Sequence, residues 1–142
     1  MGKSRPKIKK IRPFLQELAR QNSIDTFVVL YRDFAEDFIT FSAEGLSGYG
    51  LYHRRAFKKH AETATYVVIQ VDVVSATSKK PLASTGGSDS HVLEEEYWHK
   101  PYQKKKEKNF IPLAENQIDT LRRTTKINFR DAVQEALTRV GL

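Results

Sequence analysis

The stretch that decides the fold is residues 65–74, TYVVIQVDVV, a long run of β-branched and aromatic side chains. Such runs favour strands, and this one is long enough to predict a strand at the centre of a sheet. A second run, residues 26–31 (TFVVLY), predicts a strand buried on both faces, and residues 38–41 (FITF) predict a third. The polar residues 33–37 indicate a hairpin between these two strands.

Helical patterns accompany these strands. Apolar spacing predicts a helix over residues 12–21, with Pro13 in its first turn, and another helix over residues 51–62. Two further helices are expected at residues 114–125 and 130–140. The expected fold class is therefore α+β, with an antiparallel sheet of three or four strands packed against helices and a C-terminal helical hairpin.

The same patterns divide the chain into three parts. Residues 1–7 are expected to form a flexible basic arm, and residues 8–102 an α+β core. This core would contain a long polar loop near residues 75–91, because that stretch is rich in Ser, Gly, Lys and Asp. Residues 92–102 are a candidate edge strand. Residues 103–142 would form a charged linker followed by the helical pair.

Composition excludes several classes of protein. The chain has 142 residues, which favours one domain, and 39% of them are hydrophobic, which is enough to bury a core. Without any cysteine it has no disulfide scaffold, no thiolate zinc site and no thiol nucleophile. No apolar run approaches the roughly 20 residues that span a bilayer. A membrane partner is therefore not expected, and the basic N-terminus without an apolar stretch predicts a cytoplasmic protein.

Charge is the strongest functional signal in the sequence. The 24 Lys and Arg residues outnumber 17 Asp and Glu residues, which gives a formal net charge of +7. The excess falls in four basic clusters along the chain, whereas residues 21–52 are acidic overall. An acidic partner is expected, and nucleic acid is the commonest one. The clusters either converge on one face after folding or remain separate solvated surfaces.

The predicted helix over residues 51–62 carries the sharpest candidate site. At 100° per residue, Arg54, Arg55, Lys58 and Lys59 fall on one side, and apolar residues occupy the opposite side. One face could dock on the sheet while the other contacts phosphates. The alternative interpretation is an ordinary amphipathic surface helix.

Two further segments supply candidate nucleic-acid-binding residues. The N-terminal region contributes Lys7, Lys9 and Lys10, which would add electrostatic affinity. Trp98 precedes the lysines at 104, 105 and 106, and this mixture of rings and cations suits a single strand whose bases stack. Edge-strand packing of the tryptophan beside a solvated lysine tail explains the same residues. These candidate lysines are Lys104, Lys105 and Lys106.

The C-terminal 35 residues resemble the ribbon-helix-helix DNA-binding fold. The likeness consists of a short extended stretch at residues 108–113, then two helices separated by a brief turn. Asn128 would cap the second helix and Gly141 would follow its last turn. The pattern departs at Pro112, which removes a hydrogen-bond donor from the expected strand. A helical hairpin that caps the α+β core is the alternative.

These observations lead to three functional hypotheses. The first is a small, non-catalytic nucleic-acid-binding protein that contacts the phosphate backbone, with DNA and RNA both open. The second is a protein-interaction module, either a regulator, an inhibitor or an assembly subunit of a larger nucleic-acid machine, which binds an acidic protein surface. A homodimer is possible in either case. The third is a metal-dependent nuclease built around Asp72, whose carboxylate lies within the predicted central strand. No cofactor, catalytic residue or metal ligand is assigned.

Overall fold

The computed structural model, which describes residues 8–56, 60–99 and 112–142, is organised around one long central strand. Two helices and five strands are present in these residues, so the expected α+β class is confirmed, with five strands where three or four were expected. A short 3-10 helix occupies Glu96–His99. The elements are α1 (Ile8–Asn22), β1 (Thr26–Arg32), β2 (Phe34–Glu36), β3 (Gly45–Ala56), β4 (His60–Ser75), β5 (Ala83–Val92) and α2 (Glu115–Arg139).

Strand β4 is long enough to pair with three other strands, all antiparallel. On one side it pairs with β5. Its other side is shared by β3, which pairs with residues 60–68, and β1, which pairs with residues 69–75. Asp33 links the two: its N–H bonds the Val68 carbonyl and its carbonyl accepts from Gly48, both at 3.0 Å. Beyond Asp33, β2 pairs with residues 45–47, the first part of β3, and β3 pairs with β4 from Gly48 onwards.

One face of this sheet is covered by α2. Val67 and Val71 of β4 are fully buried against Ala132 and Ala136 of the helix. Gly87 on β5 makes this close approach possible, because a Cβ atom there would lie only 2.1 Å from the Ala132 carbonyl oxygen. The helix therefore covers β4 and β5 tightly, with small residues at the contact.

The opposite face is covered in part by the segment between β2 and β3. Leu46, Tyr52 and Val68 are buried there, with Phe38 and Ile39 packed against them. Residues 38–41 are therefore not a strand, and the hairpin expected there is wrong. Phe38 and Ile39 cover the sheet, whereas Phe41, where the chain turns with φ +54°, is exposed.

The helix expected over residues 51–62 is wrong as well. Residues 45–56 are β3, and a hairpin connects them to β4, with residues 57–59 outside the described range. Leu51 lies opposite Thr65, and Arg54 lies opposite Glu62. Arg54 and Arg55 therefore belong to a strand and not to a helical stripe, and Lys58 and Lys59 lie outside the described residues.

The expected polar loop at residues 75–91 contains a complete strand, β5, despite its Ser- and Gly-rich composition. Gly87 explains part of this outcome, since a larger residue would hold α2 away from the sheet. At the other end of the chain, α1 starts at Ile8, so Pro13 lies inside the helix and not in its first turn. An edge strand was expected at residues 92–102, but β5 ends at Val92 and a 3-10 helix follows at Glu96–His99. Residues 100–102 lie outside the described residues.

The C-terminal helical pair is a single helix of 25 residues, α2. Asn128 is not an N-cap: it is fully buried in mid-helix and donates to the Thr65 hydroxyl at 3.0 Å. Gly141 does follow the helix end with φ +80°, as expected of a C′ glycine. Because residues 112–142 contain no turn between two helices, the resemblance to the ribbon-helix-helix fold does not hold there.

Candidate functional site

Two groups of basic residues in the described chain lie near opposite ends of β4, and a third lies on α2. This strand has 16 residues, which corresponds to a length of about 50 Å. We call the region where β3 leads into β4, with residues 37–44 beside it, the hairpin end. We call α1 together with residues 76–82, which follow β4, the α1 end. The clusters at these two ends do not share one local surface.

At the α1 end, two side chains fix the helix against the chain that follows β4. Gln16 donates to the carbonyl of Ala76 at 3.4 Å, and Arg12 donates to the carbonyl of Ser78. These two contacts place residues 12–16 of α1 beside residues 76–78, which belong to the turn between β4 and β5. Lys79 and Lys80 follow in the same turn, and Lys9 lies three residues before Arg12 on α1.

The lysines at the α1 end lie in two segments that contain no acidic residue. Lys9, Lys10, Lys79 and Lys80 are all exposed, and neither residues 8–16 nor residues 76–82 contain an acidic side chain. The first carboxylate along α1 is Glu17, which pairs with Arg20 at 2.6 Å. The hydrogen bonds from Arg20 and Gln21 hold the pKa of Glu17 below its ordinary value. The described lysines therefore present a positive surface.

Two large apolar side chains accompany this positive surface. Phe14 is 65% exposed and Leu82 is 61% exposed. Phe14 lies at the edge of the same apolar stripe as Ile11, Leu15 and Leu18, since these residues are separated from it by −3, +1 and +4 positions. Leu15 is buried and Ile11 and Leu18 are partly buried, so within residues 9–22 of α1 Phe14 is the large apolar side chain that is most exposed.

At the hairpin end, the predicted site residue Arg54 lies next to a buried carboxylate. Its guanidinium is 3.9 Å from Asp37 and donates to the Thr40 hydroxyl at 3.2 Å. Its side chain remains 38% exposed, whereas that of Asp37 is fully buried. The charge of Arg54 is thus partly offset before any ligand arrives.

Asp37 itself organises the segment between β2 and β3. Burial alone would raise the pKa of its carboxyl group, but hydrogen bonds from Thr40, Ser42 and Tyr52 outweigh burial and hold the pKa well below the usual range. The backbone N–H groups of Ile39, Thr40 and Ser42 also donate to it, at 2.8 to 3.1 Å. A carboxylate with this many donors is a structural anion.

The remaining predicted site residues have different positions. Arg55 lies on β3, close to the hairpin. Trp98 is wrong as a base-stacking residue because its side chain is fully buried beside β4, where its carbonyl accepts from the Thr63 hydroxyl. Six predicted lysines lie outside the described residues: Lys7, Lys58, Lys59, Lys104, Lys105 and Lys106.

The basic cluster on α2 is largely paired. Arg122 bonds Asp119 at 3.1 Å and Arg130 bonds Asp131 at 2.7 Å. Arg123 lines a cleft of about 360 Å³ between α2 and the end of β5, whose wall also carries Glu94 and Glu95. Two carboxylates beside one arginine make this cleft a poor phosphate site.

Asp72, the centre of the nuclease hypothesis, is surrounded by hydroxyl groups. The Tyr31 hydroxyl donates to it at 2.9 Å and the Ser84 hydroxyl at 2.6 Å. Gln70 extends this network by donating to Ser84 at 2.9 Å. Within the described ranges, no group of three or more His, Cys, Asp or Glu residues is placed to hold a metal ion. This network stabilises the sheet and supplies no second carboxylate.

Sequence reasoning missed the contribution of Arg12, Lys79 and Lys80 to the α1 end. The signal was present in the Lys-Lys-Pro sequence at residues 79–81, but it fell in a stretch interpreted as a loop. Only the fold shows that α1 lies against this segment.

No helix in residues 8–56, 60–99 and 112–142 has the length and apolar character needed to cross a membrane.

Comparison with known proteins identifies no family for this chain. It has no significant match among protein-family models, curated proteins or solved structures.

Proposed function

We propose that the protein is a non-catalytic nucleic-acid-binding protein that contacts the phosphate backbone through its α1 end. The observation that carries the proposal is the tethering of α1 by Arg12 to the Ser78 carbonyl, which brings two segments with exposed lysines, residues 8–16 and 76–82, next to each other; neither segment contains an acidic residue. Phosphate contacts of this kind supply affinity without reading sequence.

The sequence before α1 supports this assignment. Lys3, Arg5 and Lys7 precede the helix, so the basic character of the α1 end continues towards the N-terminus of the chain. Exposed Phe14 and Leu82 could contact bases or sugars beside the backbone track. The proposal therefore moves the main contact from the hairpin residues Arg54 and Arg55 to α1 and residues 76–82.

An anionic lipid surface is the competing polyanion. An interfacial helix inserts a broad apolar face between lipid headgroups. On α1 that side is turned inward, with Leu15 buried, and Phe14 is the large apolar side chain left exposed. The surface therefore favours a phosphate backbone over a bilayer.

The test is a salt titration of binding, measured by fluorescence anisotropy with labelled single-stranded DNA, duplex DNA and RNA. The triple variant Lys9→Ala, Lys79→Ala and Lys80→Ala removes three exposed lysines at the α1 end. We expect its affinity to fall by about tenfold or more, and the slope of log K against log salt for duplex DNA to become shallower by about 3.

A matched control removes the same charge from cations that already have a carboxylate partner. The variant Arg20→Ala, Arg122→Ala and Arg130→Ala also loses three cations, each paired with a carboxylate. We expect its affinity to stay within about twofold of the parent chain. Equal losses in both variants, no salt-dependent binding, or stronger binding to phosphatidylserine vesicles than to any nucleic acid would overturn the proposal.

A further inference from the structure

The outer edge of β1 is open. Asp33 donates to Val68, and Ala76 donates to the carbonyl of Asp25, so the odd-numbered residues of this segment bond β4. The N–H and C=O groups of the even-numbered residues therefore point away from the sheet. They belong to Thr26, Val28, Leu30 and Arg32, and no hydrogen bond reaches them from the described residues.

The opposite edge of the sheet is protected. On β5, the Ser88 N–H donates to the Glu135 carboxylate at 3.3 Å, and the Gly86 carbonyl accepts from Arg139 at 3.1 Å. These two side chains of α2 satisfy outward-facing groups in the middle of that edge. Exposed edges are usually blocked in this way because they pair readily with other strands. β1 has no comparable protection in the described chain.

The side chains at the open edge are apolar on both faces. Val28 and Leu30 are 41% and 39% exposed, on the same face as α2 but beyond its reach. Phe27, Val29 and Tyr31 lie on the other face and are partly buried. The only charged residue of β1 is Arg32. Within β1 a second copy therefore meets no acidic residue, and the carboxylates of Asp25 and Asp33 lie just beyond the two ends of the strand.

From these features we propose that β1 pairs antiparallel with β1 of a second copy, around a two-fold axis at Val29. The outward-facing residues then match: Val28 faces Leu30 of the other copy, and Thr26 faces Arg32. All four outward residues of each copy would be hydrogen-bonded, which gives about eight main-chain bonds. On the other face, Phe27 lies opposite Tyr31, an aromatic pair typical of stable sheets.

The ends of the open edge follow the same symmetry. The edge stops on one side at Asp33, after which Phe34 pairs with Ser47, and on the other at Ser23, where a φ of +54° turns the chain towards α1. Beyond the strand, Ile24 of one copy falls opposite Phe34 of the other, and these residues are 43% and 56% exposed in the single chain. Asp25 of one copy falls opposite Asp33 of the other, so the apolar pattern is interrupted by one like-charge contact at each end.

The size of this contact predicts its strength. From Ile24 to Phe34 the strip is about 36 Å long, and with both faces counted it buries on the order of 600 Å² per copy. This is at the low end for stable interfaces, so we expect a dimer with a Kd in the micromolar range. Shifting the axis by one residue opposes Val28 to Arg32 or Thr26 to Leu30, which loses apolar pairs.

The test is sedimentation velocity of the full chain between about 1 and 200 μM, without nucleic acid. We expect a monomer–dimer equilibrium, and we expect Val28→Lys with Leu30→Lys to weaken it at least tenfold. Because both side chains are partly exposed, the double variant should fold, which circular dichroism will check. The control is Val92→Lys on the β5 edge, 45% exposed, which should leave dimerisation unchanged.

A cross-link tests the axis directly. The chain has no cysteine, so Val29→Cys introduces a single thiol. In the proposed dimer the two Cβ atoms at this position are about 4.5 Å apart, close enough for a disulfide. We expect oxidation to give a covalent dimer, and Val92→Cys to remain monomeric.

Three outcomes would overturn the proposal. These are a monomer at every concentration, a dimer that survives the β1 lysine variant, or cross-linking at Val92 in preference to Val29. A chain that stays monomeric but binds peptides from other proteins as an added strand at β1 would also overturn it, because the edge would then belong to another partner. None of these results depends on nucleic-acid binding, so this inference and the proposed function can fail separately.

Discussion

The two ends of β4 carry the same kinds of basic residue in different electrostatic surroundings. At the hairpin end, Arg54 lies 3.9 Å from Asp37, and Glu62 is its cross-strand neighbour. At the α1 end, the exposed lysines of residues 8–16 and 76–82 have no acidic residue in either segment. The comparison indicates that the acidic residues around a basic cluster, and not only the number of its basic residues, determine how much positive charge it presents. The following predictions test this difference.

The largest effect is expected from Asp37→Asn at the hairpin end. The carboxylate accepts several hydrogen bonds in a buried site, so its replacement should lower the free energy of unfolding by about 3 kcal/mol. Chemical denaturation measures this loss. Glu44→Gln, an exposed change in the same segment, is the control and should stay within about 0.5 kcal/mol.

The same carboxylate gives a pH dependence with a defined sign. Because folding lowers the pKa of Asp37, its contribution is fully present above the ordinary aspartate value of about 3.9 and is lost as the pH falls below it. The parent chain should therefore lose more stability on acidification than Asp37→Asn does. If the free energy of unfolding fell by the same amount in the two proteins as the pH was lowered, Asp37 would not be the source of this pH dependence.

A smaller effect is expected from Arg12→Met at the α1 end. Losing the hydrogen bond to the Ser78 carbonyl should cost about 1 kcal/mol and reduce hydrogen-exchange protection in α1 by about fivefold. Lys10→Met removes the same charge from an exposed neighbour and should leave that protection unchanged.

Nucleic-acid affinity adds a second measurement to this pair. If α1 is positioned by Arg12, its replacement should weaken binding more than Lys10→Met does, although both remove one cation. Equal exchange protection in the two variants would mean that Arg12 does not hold the helix in place.

The smallest effect is expected from Arg54→Ala. Its charge is partly offset by Asp37, so affinity for duplex DNA should change by less than about twofold. Lys79→Ala, measured alongside, should give the larger loss. A drop of tenfold on changing Arg54 would reverse the comparison and restore the hairpin end as the main contact.

Much of the sheet could be predicted from the sequence because β-branched runs have few alternatives. Residues 26–31 and 65–74 both lie in strands, and the second is central as expected. The helix over residues 51–62 failed because a segment with mixed apolar and basic residues fits both periodicities. Pairing with β4, a distant contact, decided between them.

Other failures reflect contacts that composition does not record. The strand β5 looked like a loop because its Gly and Ser residues are usually found there, yet Gly87 is needed for α2 to approach. The single helix α2 looked like two because Asn128 resembled a cap. Its actual partner, Thr65, is 63 residues away in the sequence. The α1 end was missed for the same reason, since Arg12 and Ser78 are 66 residues apart.

The contacts of α2 have a consequence for how the protein can move. The helix is fixed along its axis by a buried hydrogen bond from Asn128 to Thr65 and by the fit of Ala132 over Gly87. Sliding by one turn, about 5.4 Å, would break the hydrogen bond in either direction and, in one of them, would place Asn128 over the glycine in the position of Ala132. α2 and the strands beneath it should therefore behave as one rigid body, and any ligand-dependent motion should be confined to α1 and the segments that join the strands.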